Sequence, residues 1–237
     1  MAWYRRALDR SDYAEKVLAV LAPLLAECET ALDVGAGCGA LALPLAERLR
    51  RVTAIEPAPA MAGALREEAR ARKLGNIEVI EAAWGDVPVS PHDLVLCAHV
   101  GELLRPAAGF LRKVSSVARR GVALVRDAGK EEDKFFFRDL YPMLLGRPYT
   151  SGCDYEETVE GLARLGASPT VTFVSYSSDQ PFIDLEEACD FWTDYLGVEG
   201  DDVRRFLRQF LRERLVPDGV GLVAPYQKRA AVIWWRV

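Results

Sequence analysis

The chain has 237 residues, half of them hydrophobic and 27% charged, with a formal net charge of −5. That composition holds enough apolar material for a sizeable core without disulfide or metal staples and excludes disorder as the main state. The acidic balance demotes nucleic acid as a partner without excluding it, and no apolar run reaches the roughly 18–20 residues that span a bilayer.

The five cysteines (Cys28, Cys38, Cys97, Cys153 and Cys189) are odd in number and contain no C-x-x-C pair. Neither a disulfide framework nor a metal site is expected, and the thiols point to a reducing compartment. The opening residues Met1 to Arg10 lack the apolar stretch of a signal peptide, so a cytoplasmic location is expected.

Short apolar runs alternate with longer amphipathic ones, the pattern of a parallel α/β sheet. Tyr13 to Ala26 has helical spacing, with Ser11 or Asp12 as N-cap. Strands are expected at Ala31–Val34, Val52–Glu56, Ile77–Ala82, Asp93–Ala98 and Val122–Val125, the last ending at Asp127. Helices are expected at Ala40–Leu49, Ala60–Leu74 and Pro106–Val117.

Beyond residue 127 the rhythm changes. A charged stretch leads to Phe135-Phe136-Phe137 and then to Gly146-Arg147-Pro148-Tyr149, which is turn chemistry. Asp154 with Glu157 and Asp184 with Glu187 read as capping boxes for two helices. A basic amphipathic helix follows over Asp202–Leu215, with strands at Val171–Ser175 and Ala230–Trp235. No linker is visible, so a single domain spanning 1–237 is expected, with a core over 30–127, a helical cover over 128–228 and a final strand over 229–237.

The informative phrase is Leu32-Asp33-Val34-Gly35-Ala36-Gly37-Cys38-Gly39, followed by Ile55-Glu56-Pro57 at the end of the next strand. Glycines at a strand-to-helix turn permit backbone angles and close approach that a Cβ would block. An acid closing the second strand is placed to accept from both hydroxyls of a ribose. The spacing is G-x-G-x-G and departs from the dinucleotide fingerprint G-x-G-x-x-G.

The phrase resembles motif I of the class I S-adenosylmethionine-dependent methyltransferases. The resemblance continues through Glu56-Pro57, Met61, the Asp86-Val87-Pro88 turn and His92-Asp93-Leu94-Val95-Leu96, covering roughly residues 30–127. It implies a three-layer Rossmann-like sandwich around a mostly parallel seven-stranded sheet whose last strand is antiparallel, with a helical cover. It also implies S-adenosylmethionine as cofactor, with Gly35, Ala36 and Gly37 approaching it by their backbone.

By the same resemblance Asp33 orients the ammonium end, Glu56 with Pro57 meets the ribose, and Met61 packs on the adenine. Ala98 and His99 line the methionine and methyl region. Where relatives carry an Asp that reads the adenine amino group, this chain has Ala83, followed by Trp84. Adenine recognition then falls to the Trp84 ring or backbone, or to Asp86.

Each of these has a plainer alternative. Asp33 inside an apolar strand is also a candidate structural cap. His99 is a candidate general base or a residue that shapes the pocket, and no other catalytic residue is legible; His92, after Pro91, is expected to be solvated. Phe136, Tyr141 and Tyr149 are candidates for the acceptor pocket, or for core filling. The arginines of the 202–215 helix are expected on a solvated face.

The resemblance implies in-line methyl transfer, in which the protein supplies alignment and exclusion of water. A small-molecule acceptor is favoured, because Ala98-His99-Val100-Gly101 stands where an Asn/Asp-Pro-Pro-Tyr tetrapeptide would mark amino-group methylation. The alternatives are a cofactor-binding regulatory module without transfer activity and an aminopropyltransferase-like enzyme on the same scaffold. The sequence leaves the oligomeric state open.

Overall fold

The computed structural model describes residues 2–101, 107–129, 133–150 and 155–237. In chain order the first half runs α1 (Ala2–Asp9), α2 (Tyr13–Leu25), β1 (Thr30–Val34), α3 (Ala42–Ala46), β2 (Arg51–Ile55), α4 (Pro59–Ala71), β3 (Ile77–Ile80), β4 (His92–Ala98), α5 (Ala107–Ser116) and β5 (Ala118–Asp127). The second half adds α6 (Phe137–Leu145), α7 (Tyr155–Arg164), β6 (Thr170–Ser177), β7 (Gln180–Phe182), α8 (Leu185–Leu196), α9 (Asp201–Arg212), β8 (Val216–Asp218), β9 (Gly221–Ala224) and β10 (Gln227–Arg236).

The chain divides into two compact units, one formed by residues 14–128, 153–174 and 229–237, the other by 1–13, 129–152 and 175–228. Residues 155–174, with α7, fall in the sheet unit.

In the sheet unit seven strands take the order β3-β2-β1-β4-β5-β10-β6. β1 to β5 pair in parallel, and β10 runs antiparallel to β5, with Val232 opposite Val125. Every residue of β1 is buried, as a parallel sheet covered on both faces requires. Leu32, Val34, Val95, Leu124 and Ile233 lie in one apolar cluster with Leu111 of α5 and Leu162 of α7.

The chain moves outward from β1 to β2 and β3, then returns to the other side of β1 as β4. That reversal is a topological switch point, and the carboxyl ends of β1 and β4 frame a crevice there. The expected sheet is observed with modest changes of boundary; the helix expected over 40–49 is shorter, at Ala42–Ala46.

One expectation is corrected. His92 is buried and opens β4. Its Nε2 lies 2.9 Å from Thr53 Oγ1 and its Nδ1 2.7 Å from the Ser90 carbonyl oxygen, and burial pushes its pKa below the usual histidine value. A histidine can be buried in this way when both ring nitrogens are satisfied.

The second unit packs Phe135, Phe137, Phe182, Phe191, Phe210 and Tyr226 around a fully buried Trp192. It contains a three-stranded antiparallel sheet in the order β7-β9-β8, absent from the sequence reading. The Asp184 carboxylate accepts from the Glu187 N–H at 2.8 Å, the expected cap of α8. Arg204 and Arg208 of α9 pair with Glu186, so the basic face is a solvated, ion-paired one. Asp154, named in the other capping box, lies outside the described residues.

Candidate cofactor site at the switch point

β1 delivers Asp33 and Val34 to the crevice and then turns sharply. The N–H groups of Gly35 and Ala36 both donate to the Ile55 carbonyl, at 2.8 and 3.0 Å, tying the turn to the end of β2. Gly35 has φ +74° and Gly37 φ +56°, angles that side chains disfavour. A Cβ on Gly35 would lie 2.3 Å from Val100 Cγ1, whereas one on Gly37 would point into open space. The turn is therefore closed by Val100 at Gly35 and open at Gly37.

Glu56 follows β2 and is buried. Its Oε2 accepts from the Gly37 N–H at 2.8 Å, and its Oε1 from the Ala58 N–H at 2.9 Å. A carboxylate oxygen has two lone-pair directions, so one bond to each leaves capacity for a diol. The donor set and the open side of Gly37 fit a ribose-bearing cofactor.

Asp33 is also buried and accepts from the Ala42 N–H at the start of α3. Burial, reinforced by the Glu56 charge, raises its pKa to about 7. The structure thus supplies the capping contact of the plainer reading.

Around the crevice, Ala36 is buried, Pro57 is exposed, and Met61 is half-buried in the first turn of α4. Ala83 and Trp84 follow β3 and are both half-buried. The Trp84 ring packs on the sheet core with the Lys113 Nζ 5.2 Å from its centroid. Ala83 O accepts from the Asp86 N–H at 3.1 Å, closing the turn.

Ala98 ends β4, and His99 follows it with φ +55°. The His99 N–H donates to the Val125 carbonyl at 3.0 Å, and its Nδ1 lies 2.9 Å from Asp127 Oδ1. Asp127 was legible in the sequence only as the end of a strand. The missing signal was strand order, which sets the carboxyl ends of β4 and β5 side by side.

Phe136, Tyr141 and Tyr149 belong to the aromatic unit. Phe136 stacks on Trp192 with centroids 6.0 Å apart and an interplanar angle of 17°. Tyr141 meets Phe137 at 5.2 Å and Tyr149 at 5.1 Å. All three are half-buried. Among the described residues no cluster of His, Cys, Asp or Glu could hold a metal ion, and no helix is long and apolar enough to cross a membrane.

Residues 31–121 match the family model of a methyltransferase domain. A 93-residue stretch, 38% of the chain, is 39% identical to a ubiquinone biosynthesis O-methyltransferase of Methylocella silvestris. A 53-residue stretch, 22% of the chain, is 43% identical to a probable ribosomal RNA small subunit methyltransferase A of Methanosphaera stadtmanae. These matches span 36% and 20% of the two relatives' own lengths. In three dimensions, 98% of the chain superposes on 85% of a magnesium protoporphyrin IX methyltransferase from Synechocystis PCC 6803, solved with bound S-adenosylhomocysteine, at 15% identity and a TM-score of 0.53.

Proposed function

We propose that the chain is a class I S-adenosylmethionine-dependent methyltransferase that transfers a methyl group from that cofactor to a small-molecule acceptor. The observation that carries this reading is the bond between Glu56 and the Gly37 N–H beside an open turn. Glu56 would hold the ribose diol, while the backbone of Gly35, Ala36 and Gly37 would approach the rest of the cofactor. When bound, S-adenosylmethionine supplies a methyl group already activated on a sulfonium.

The chain's own residues then have to align the acceptor and exclude water. Val100, against Gly35, backs the turn on the side of β4. Ala98 and His99 stand at the carboxyl end of the neighbouring strand, next to the methyl region in this reading. Met61 and the Ala83–Trp84 turn would border the adenine.

The O-methyltransferase among the relatives and the porphyrin-named structural neighbour favour a small acceptor. The ribosomal RNA methyltransferase favours RNA as the second reading, over a much shorter match. Calorimetric titration tests the proposal. Micromolar binding of S-adenosylmethionine and S-adenosylhomocysteine, with NAD far weaker, is expected. NAD binding as tight or tighter overturns it, and a preference for decarboxylated S-adenosylmethionine redirects it to aminopropyl transfer. Transfer to RNA, with none to small molecules, would install the second reading.

A further inference from the structure

We propose that a cleft between the β3–β4 loop and α5 is an accessory binding site for a small carboxylate with an apolar body. Lys113 and the Trp84 indole N–H would hold the carboxylate. The cleft has a volume of about 350 Å³ and is lined by the loop from Trp84 to Val89, by Lys113 of α5 and by Val117 just after it. That volume lies within the range of small-molecule pockets. Gly35, Gly37 and Glu56 are not among its lining residues, so the site goes beyond the methyltransferase reading and does not rest on it.

Two donors meet at this cleft without an acceptor. Trp84 Nε1 is buried and has no hydrogen-bond partner among the described residues, although a buried indole N–H ordinarily finds one. Lys113 Nζ stands 5.2 Å from the Trp84 ring centroid, and no carboxylate among the described residues pairs with it. Gly85 makes room for the ammonium: its φ is +106°, and a Cβ there would lie 2.3 Å from Lys113 Nζ. Cation–π attraction places the ammonium against the ring. Its flexible four-carbon stem lets it turn to an anion without leaving the cleft.

A carboxylate answers both donors, with one oxygen accepting from the indole N–H and the other from the ammonium. Hydrogen bonds to an ionised acceptor are the strong ones. The remaining walls, Val87, Pro88, Val89 and Val117, are apolar, so they suit a ring or short chain and offer nothing to a strongly hydrated inorganic anion. Asp86 is the one acid in the lining, and it is exposed. Water and salt screen its charge, so it opposes a bound anion only weakly. The cleft thus asks for one negative charge at one end of the ligand and an apolar group at the other.

The test titrates the full chain with benzoate and follows the indole N–H signals by NMR. The chain has five tryptophans, and the signal lost in Trp84→Phe is assigned to Trp84. Benzoate at millimolar concentration should move that signal saturably. Benzamide, which keeps the ring and loses the charge, should bind at least about tenfold more weakly. Lys113 is exposed on its helix, so Lys113→Met should stay folded, as a thermal melt checks, while benzoate affinity falls roughly ten- to a hundredfold. Asp86→Asn should bind benzoate as tightly as the wild type or more so. A Trp84 signal that does not move, or equal affinity in Lys113→Met, overturns the site. Equal binding of benzamide, or loss of binding in Asp86→Asn, overturns the carboxylate as its ligand. None of these readings depends on S-adenosylmethionine.

Discussion

The backbone N–H of Gly37 donates to Glu56 Oε2 at 2.8 Å, so the turn after β1 and the acid after β2 form one hydrogen-bonded unit. Each half organises the other: the carboxylate holds the turn in a left-handed conformation, and the turn fixes the carboxylate facing the crevice. In Glu56→Gln, one oxygen that accepts from a backbone N–H becomes an NH₂ donor. Loss of a charge-assisted bond costs about 1.5–3 kcal/mol, so affinity for S-adenosylmethionine should fall roughly ten- to a hundredfold. Calorimetry checks this, and unchanged affinity with a collapsed melting temperature would make Glu56 purely structural.

The two glycines of the turn should respond differently to alanine. Gly35→Ala meets both a left-handed φ and Val100 Cγ1 at 2.3 Å, so it should lower stability and cofactor affinity together. Gly37→Ala meets only the φ penalty, about 1–2 kcal/mol, with open space around the new methyl. Its loss of cofactor affinity should exceed its loss of stability. Paired thermal melts and titrations separate the two effects.

Asp33 carries a pH signature. Its pKa in the folded chain is raised from 3.8 to about 7, by burial first and by the Glu56 charge second. The folded state therefore binds more protons than the unfolded one between these values, and this residue's contribution to stability falls as pH rises from 4 to 7. Asp33→Asn keeps an oxygen for the Ala42 N–H and removes the buried charge. It should match the wild type near pH 4 and exceed it by about 1–4 kcal/mol at pH 8. Denaturant melts at both pH values check the sign.

In the aromatic unit, Trp192 Nε1 donates to the Phe135 carbonyl at 3.0 Å. Phe135 and Phe136 both have positive φ, 53° and 61°, a strain of order 1–3 kcal/mol each. Trp192→Phe keeps an aromatic ring and removes the donor, leaving that carbonyl without its bond, which should cost about 1–3 kcal/mol. Faster hydrogen exchange should appear over Phe135–Leu140, with cofactor affinity within about threefold, a shift under ~0.7 kcal/mol. Unchanged exchange there would show that packing alone holds the turn.

The central strands of the parallel sheet were legible because they are buried on both faces, which writes a short apolar run such as Ala31-Leu32-Asp33-Val34 into the sequence. The glycine turn and Glu56 were legible because their chemistry is local: backbone angles and a strand-end carboxylate lie within one β-α-β unit. β7, β8 and β9 were not, since three or four residues each, two of them with an internal proline, carry no periodic signal. Helix α1, eight residues long, was likewise unread.

What the sequence by itself determined was the order of the strands and helices of the parallel core, the methyltransferase-like motif and the two residues, Gly37 and Glu56, that tie the turn to the end of β2. Tertiary structure decided the rest. It buried His92, whose ring nitrogens find Thr53 and Ser90. It set Phe136 on Trp192, 56 residues further along the chain. It also brought Asp127 to His99 across 28 residues. The physical reason is the same in each case: these contacts form between segments distant in the chain, and which strand ends and faces become neighbours is set by the packing of the whole sheet and core rather than by local pattern.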